Sequence, residues 1–218
     1  MNTPQPSSKR AFERLTVAEA LRALYIDFEG EKDKPPVLLG VLRRRGRGSE
    51  PNLHQIVVDP DFEPMGPNGL EFRKAVENVV VRAERRDRRI VSWTEYDLRL
   101  VRSLRDDDPA LVARFERRYA NARRVAERWM NKLHPEDKPA NGTLVGYVAI
   151  IGYEVPPGGG AGRVGGTIRA LRPRLQSGRP LTPTQERRWE ELLLHNRHDC
   201  AGMRKMCLRA TRELEAAG

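Results

Sequence analysis

The run Leu24-Tyr25-Ile26-Asp27-Phe28-Glu29-Gly30 restricts the possible folds more than any other part of the chain. Leu24, Ile26 and Phe28 alternate with Tyr25, Asp27 and Glu29. A side-chain period of two is that of a β-strand, with each set on its own face. Asp27 and Glu29 then point the same way. Two carboxylates on one strand face repel unless something positive sits between them, and a divalent cation with oxygen ligands is the usual solution. The plainer alternative places Glu29 in a turn with Gly30 and leaves Asp27 an ordinary acid at a strand end.

Around this strand the pattern is that of a mixed sheet. Thr16 can cap a short helix over Val17–Leu21. Strand-like runs cover Ala23–Phe28, Val37–Leu42 and Leu53–Val58, joined by Glu31–Pro36 and Arg43–Gly48, whose turn residues fit a β-meander. An amphipathic helix follows over about Gly69–Arg86. Then come a fourth strand, Arg89–Trp93, and a helix starting near Thr94. A strand that follows a helix is expected to pair in parallel through a crossover. The expected class is α/β, a three-strand meander plus parallel strands flanked by helices. One long arginine-dense helix is expected over Pro109–Leu133, and a last helix over Thr184–Leu214. The segment from Asn141 to Pro180 is rich in glycine. Gly158-Gly159-Gly160-Ala161-Gly162 lacks a GK[ST] ending, so Gly158–Gly166 reads as a flexible loop, not a phosphate cradle. Residues 1–9 read as a disordered tail and 10–218 as one domain, without internal repeats.

The 218 residues carry a formal net charge of +10, which favours polyanionic partners; the competing explanation is an arginine-rich composition with no partner. Cys200 and Cys207 are seven residues apart on one expected helix, about two turns, too far for a disulfide. With no CxxC pair, a reducing compartment is the expectation. The amino-terminal residues lack the apolar core of a secretory signal. The longest apolar stretch, Leu144–Val155, is broken by glycines and too short to span a bilayer. A soluble, cytoplasmic protein is expected.

Two further segments offer acids. In Ser92-Trp93-Thr94-Glu95-Tyr96-Asp97, Thr94 can cap a helix and Asp97 suits its positive end. Asp97 also lies just past the carboxyl end of a strand, the edge where α/β sheets gather ligands. In His195-Asn196-Arg197-His198-Asp199-Cys200, His195 and Asp199 are i and i+4 and share a helix face. That pair reads either as a surface contact or as a base beside a metal ligand. His198 points about 100° away and is the weaker base.

Taken in order, Asp27-Phe28-Glu29, Tyr96-Asp97 after a strand, and His195-Asn196-Arg197-His198-Asp199 resemble the three motifs of the DEDD 3′→5′ exonucleases of the ribonuclease-H-like superfamily. The third motif has the spacing of the tyrosine branch, with His195 where the tyrosine stands. His-Asn-x-x-Asp-Cys is also similar to an uncharacterised branch reading Tyr-Asn-x-x-Asp-Cys or -Val. The resemblance implies a ribonuclease-H-like sheet and two-metal phosphodiester hydrolysis. It makes Asp27, Glu29, Asp97 and Asp199 the ligands of two Mg²⁺ or Mn²⁺ ions and His195 the group that orients or deprotonates water. The expected substrate is DNA or RNA with a single-stranded 3′ end. Arg43, Arg44, Arg45 and Arg47 on a hairpin loop, and Arg114, Arg117, Arg118, Arg123, Arg124 and Arg128 on the long helix, are candidate phosphate contacts; at least half of the helical set also reads as a solvated face. Trp93, Tyr96 and Tyr119 can stack on bases, although Trp93 and Tyr96 fit a place in the core beside the site better. The rival functions are a non-enzymatic nucleic-acid-binding module on the same fold and a ribonuclease-H-like endonuclease.

Overall fold

A computed structural model describes residues 14–44, 46, 48–66, 69–155 and 161–218. The expected amino-terminal tail, Arg45 and Arg47 lie outside the described residues. The meander forms as β1 (Leu24–Gly30), β2 (Pro36–Arg44) and β3 (Pro51–Val57), followed by β4 (Ile90–Ser92) and β5 (Tyr119–Asn121). The sheet order is β3-β2-β1-β4-β5. β1 pairs antiparallel with β2 and parallel with β4, and β4 pairs parallel with β5.

Helices α1 (Val17–Arg22), α2 (Phe72–Arg85), α3 (Glu95–Arg102), α4 (Pro109–Arg118), α5 (Ala122–Leu133), α6 (Leu144–Ile150), α7 (Ala161–Gln176) and α8 (Pro183–Ala216) flank the sheet. Thr16 opens α1 through a reciprocal capping box with Glu19, and Thr182 opens α8 in the same way with Gln185. The alternation in β1 separates two cores. Leu24, Ile26 and Phe28 pack with Val76, Val80, Leu98, Val101, Leu111 and Phe115 from α2, α3 and α4. Tyr25 faces the other way, among Trp129, Tyr147, Met203 and Met206 from α5, α6 and α8. Asp27 and Glu29 share the face of Tyr25.

Two sequence expectations are corrected. The long helix over Pro109–Leu133 is two helices split by β5, whose Tyr119, Ala120 and Asn121 are all buried. Asn121 ends the strand and caps α5, its side chain accepting from Arg124 N at 3.1 Å. The flexible loop expected over Gly158–Gly166 is helical from Ala161 onward; Val164, Ile168 and Leu171 bury one face of α7 against Val37, Leu38 and Trp189, and this burial outweighs the cost of glycine in a helix. Gly158, Gly159 and Gly160 lie outside the described residues. Cys200 and Cys207 are separate buried thiols. Among the described residues, no helix is long and apolar enough to cross a membrane.

Candidate metal centre

β1 runs past its parallel neighbour. Leu24 and Tyr25 are level with Ile90 and Val91, and β4 stops at Ser92. Beyond that point no strand among the described residues pairs with β1 on this side, and the N–H of Phe28 donates instead to Asp97 Oδ1 at 3.2 Å. Asp97 reaches it from the first turn of α3, where Thr94 caps the helix and accepts from Tyr96 N. The early end of β4 thus brings Asp97 to the strand that carries Asp27 and Glu29.

The third segment arrives on α8, which crosses β1 and β2. His195 Nε2 lies 3.7 Å from Glu29 Oε1 and 3.5 Å from Asp199 Oδ2. Glu29, His195 and Asp199 each turn one ligand atom into a space no more than 4.8 Å across, a set that can hold a metal ion. The next residue, Asn196, is fully buried. Its amide donates to the main-chain oxygen of Asp27 at 3.0 Å and to the Asp27 carboxylate at 2.9 Å. Its own oxygen accepts from Gln55 Nε2 at 3.1 Å, and the same Gln55 nitrogen bonds Leu193 O at 2.7 Å. This approach needs Gly40, the β2 partner of Asp27: a Cβ there would stand 2.2 Å from Asn196 Oδ1. Asn196, Gln55 and Gly40 position the site without having been singled out in the sequence. The phrase His-Asn-x-x-Asp contained Asn196, but its role depends on a register that only the assembled sheet defines.

The electrostatics are those of crowded, buried acids. Burial, then the charges of Glu29, Asp199 and Asp97, hold the Asp27 carboxyl well above its ordinary value. Burial pushes Glu29 up to about 8, Asp199 to about 7 and Asp97 to about 6, the last against the opposing hydrogen bond from Phe28. Glu29 Oε1 is buried with no hydrogen-bond partner among the described residues. Crowded buried acids that repel one another, one of them with an oxygen left without a donor, fit a divalent cation.

The metal-free site therefore has a defined pH response. Its carboxyls keep protons in the folded chain that they release near pH 4 when unfolded. From about pH 4 to about 8 the folded state binds more protons, so stability falls as pH rises through that window. We expect the melting temperature in EDTA to drop between pH 5 and pH 8, and to drop less in Glu29→Gln. Equal pH slopes for the two proteins would contradict this electrostatic account.

His198 does not face the acids. Its Nδ1 is 2.8 Å from the Tyr153 hydroxyl, and burial, then Arg197, then His195 lower its affinity for a proton. Trp93 is buried and packs edge-on against Tyr147, so it offers no stacking surface. Tyr119 is also buried, with its hydroxyl on Thr94 O. Tyr96 is half-buried beside the acids, with the Arg99 guanidinium 5.8 Å from its ring centre.

Arg43 and Arg44 lie elsewhere. β2 runs antiparallel to β1, so Arg43 and Arg44 are carried toward the start of β1; Arg44 is four residues beyond Gly40, or about 13 Å at strand rise. Arg43 contacts His54, and Arg44 bonds Ser49 O. Four of the helical arginines are in ion pairs: Arg114 with Glu84, Arg118 with Asp87, and Arg123 and Arg124 both with Glu127. Comparison with protein-family models, curated proteins and solved structures finds no match.

Proposed function

We propose that this chain is a metal-dependent nuclease of ribonuclease-H-like type that hydrolyses phosphodiester bonds, working from the 3′ ends of single-stranded DNA or RNA. One observation carries the reading: acids from three distant segments meet at the carboxyl ends of β1 and β4, with His195 against them. Their order along the chain is that of the DEDD exonuclease motifs. Asp27, Glu29, Asp97 and Asp199 would hold Mg²⁺ or Mn²⁺, in the two-ion arrangement the resemblance implies. Bound there, such cations supply Lewis acidity toward the phosphate and a water acidified toward neutrality.

The chain's own residues do the rest. His195 presents Nε2 beside Glu29 and Asp199 and takes the proton of the attacking water. Asn196 fixes the Asp27 carboxylate. Tyr96, within the influence of Asp97 and Glu29, and Arg99 over its ring offer a ring and a cation to the terminal nucleotide.

The test is incubation of end-labelled single strands with Mg²⁺ or Mn²⁺. A ladder receding from the 3′ end is the expected result. Internal cuts would point to an endonuclease, and a gel shift without cleavage to a binding module. Cation binding is checked separately by melting. A ligand at 100 times its Kd adds about 2.7 kcal/mol, so a chain of this size should gain about 5–10 °C. An unchanged melting temperature across a millimolar titration of both ions would count against the metal centre.

A further inference from the structure

The opposite end of the sheet holds a second charged feature. α1 ends at Arg22 just before β1, Arg88 and Arg89 precede β4, and Arg117 and Arg118 precede β5. Together with Glu19, Glu84 and Asp87 these residues line a cleft of about 660 Å³ at the amino ends of the three parallel strands. Its walls are wholly charged, and the acids are already engaged. Glu84 forms a two-pronged pair with Arg114, which is outside the cleft lining; Asp87 pairs with Arg118, and Glu19 closes the α1 capping box.

The cations are held in place from behind. Arg22 Nε bonds Ala18 O, Arg88 Nη1 bonds Arg44 O, Arg89 Nη2 bonds Tyr119 O, and Arg118 Nη1 reaches Arg88 O. α1, α2 and α4 all end beside the cleft, and the partial negative charge of those ends partly accounts for the arginines. That charge amounts to roughly half a unit per helix and fades beyond the last turn. It does not balance Arg22, Arg88 and Arg117, which form no ion pair among the described residues. Arg88 is the sharpest case: it is buried, and the charged groups acting on it are Arg86, Arg43 and Arg22, all cations. A buried charge among like charges is costly unless an opposite charge joins it.

From this arrangement we propose that the cleft binds a small oligophosphate anion of the pyrophosphate type, at a site separate from the acidic centre. Guanidinium forks fixed by main-chain bonds suit two-pronged contacts to phosphate oxygens. The volume is that of a small-molecule site. From Leu24 to Glu29, β1 rises through five residue steps, about 16 Å, so the two sites do not share ligands.

Calorimetric titration with sodium pyrophosphate in EDTA tests the proposal without metal at the acidic centre. One saturable site is expected in the wild type and in Asp27→Asn. The double variant Arg22→Ala/Arg117→Ala, at two exposed positions, should bind at least tenfold more weakly with an unchanged melting temperature. Arg88→Met should lose binding too, provided its melting curve stays cooperative. Any of three results would overturn the proposal: no saturable heat at low ionic strength, equal affinity in the double variant, or displacement of pyrophosphate by a single-stranded oligonucleotide, which would make the cleft a track for a polymer backbone.

Discussion

Asp27→Ala is expected to lower cleavage of an end-labelled strand by about 10³-fold or more, because charge stabilisation by a correctly held cation amounts to several kcal/mol and each 1.36 kcal/mol is a factor of ten. The fold should survive. Asn196 keeps its bond to the main-chain oxygen of residue 27, which the substitution leaves in place. The loss also removes one of the buried acids whose mutual repulsion raises their proton affinities, so the metal-free variant should melt at a higher temperature than wild type at pH 8. Lost activity with gained stability separates a functional defect from unfolding. Retention of more than a tenth of the wild-type rate would remove Asp27 from the mechanism, and with it the two-metal proposal.

Gly40→Ala is the second large effect, and it acts through packing. The new Cβ meets Asn196 Oδ1 at 2.2 Å and Cγ at 2.9 Å. Asn196 cannot swing aside without giving up Asp27 and Gln55, so α8 must shift from β2. Overpacking costs about 1–3 kcal/mol and each lost hydrogen bond about 1 kcal/mol. A total of about 3 kcal/mol lowers the melting temperature by about 6–12 °C. Gly166→Ala, in open space on α7, should instead leave stability unchanged or raise it by about 0.5–1 kcal/mol. Adding Asn196→Ala to Gly40→Ala should recover part of the stability but not the cleavage. Equal melting of Gly40→Ala and wild type would mean that α8 is not seated on β2 through Asn196.

Much of this site was legible in the residues. Alternation around Asp27 and Glu29 gave the strand and the shared face, Thr94 gave the helix start that carries Asp97, and the i, i+4 spacing paired His195 with Asp199. What escaped depends on contacts between elements. Asn196 matters because Gly40 lies beside Asp27, and no local pattern encodes that register. The strand Tyr119–Asn121 was hidden in a helical run with no glycine or proline to break it; Asn121, a good helix cap, was the one available sign. In α7, glycines masked an apolar spacing at Val164, Ile168 and Leu171 that was present throughout. The placement of Arg43 and Arg44 could have been derived from the meander itself, since an antiparallel return takes its far end away from the carboxylates.

The bond between Asn196 and Asp27 spans 169 residues of chain. During synthesis at about 5–20 residues per second, β1 leaves the ribosome many seconds before the helix that completes its pocket. Over that interval the nascent protein has paired acids but neither the imidazole nor the amide that organises them. The ligand space shared by Glu29, His195 and Asp199 is therefore completed only once α8 has been made.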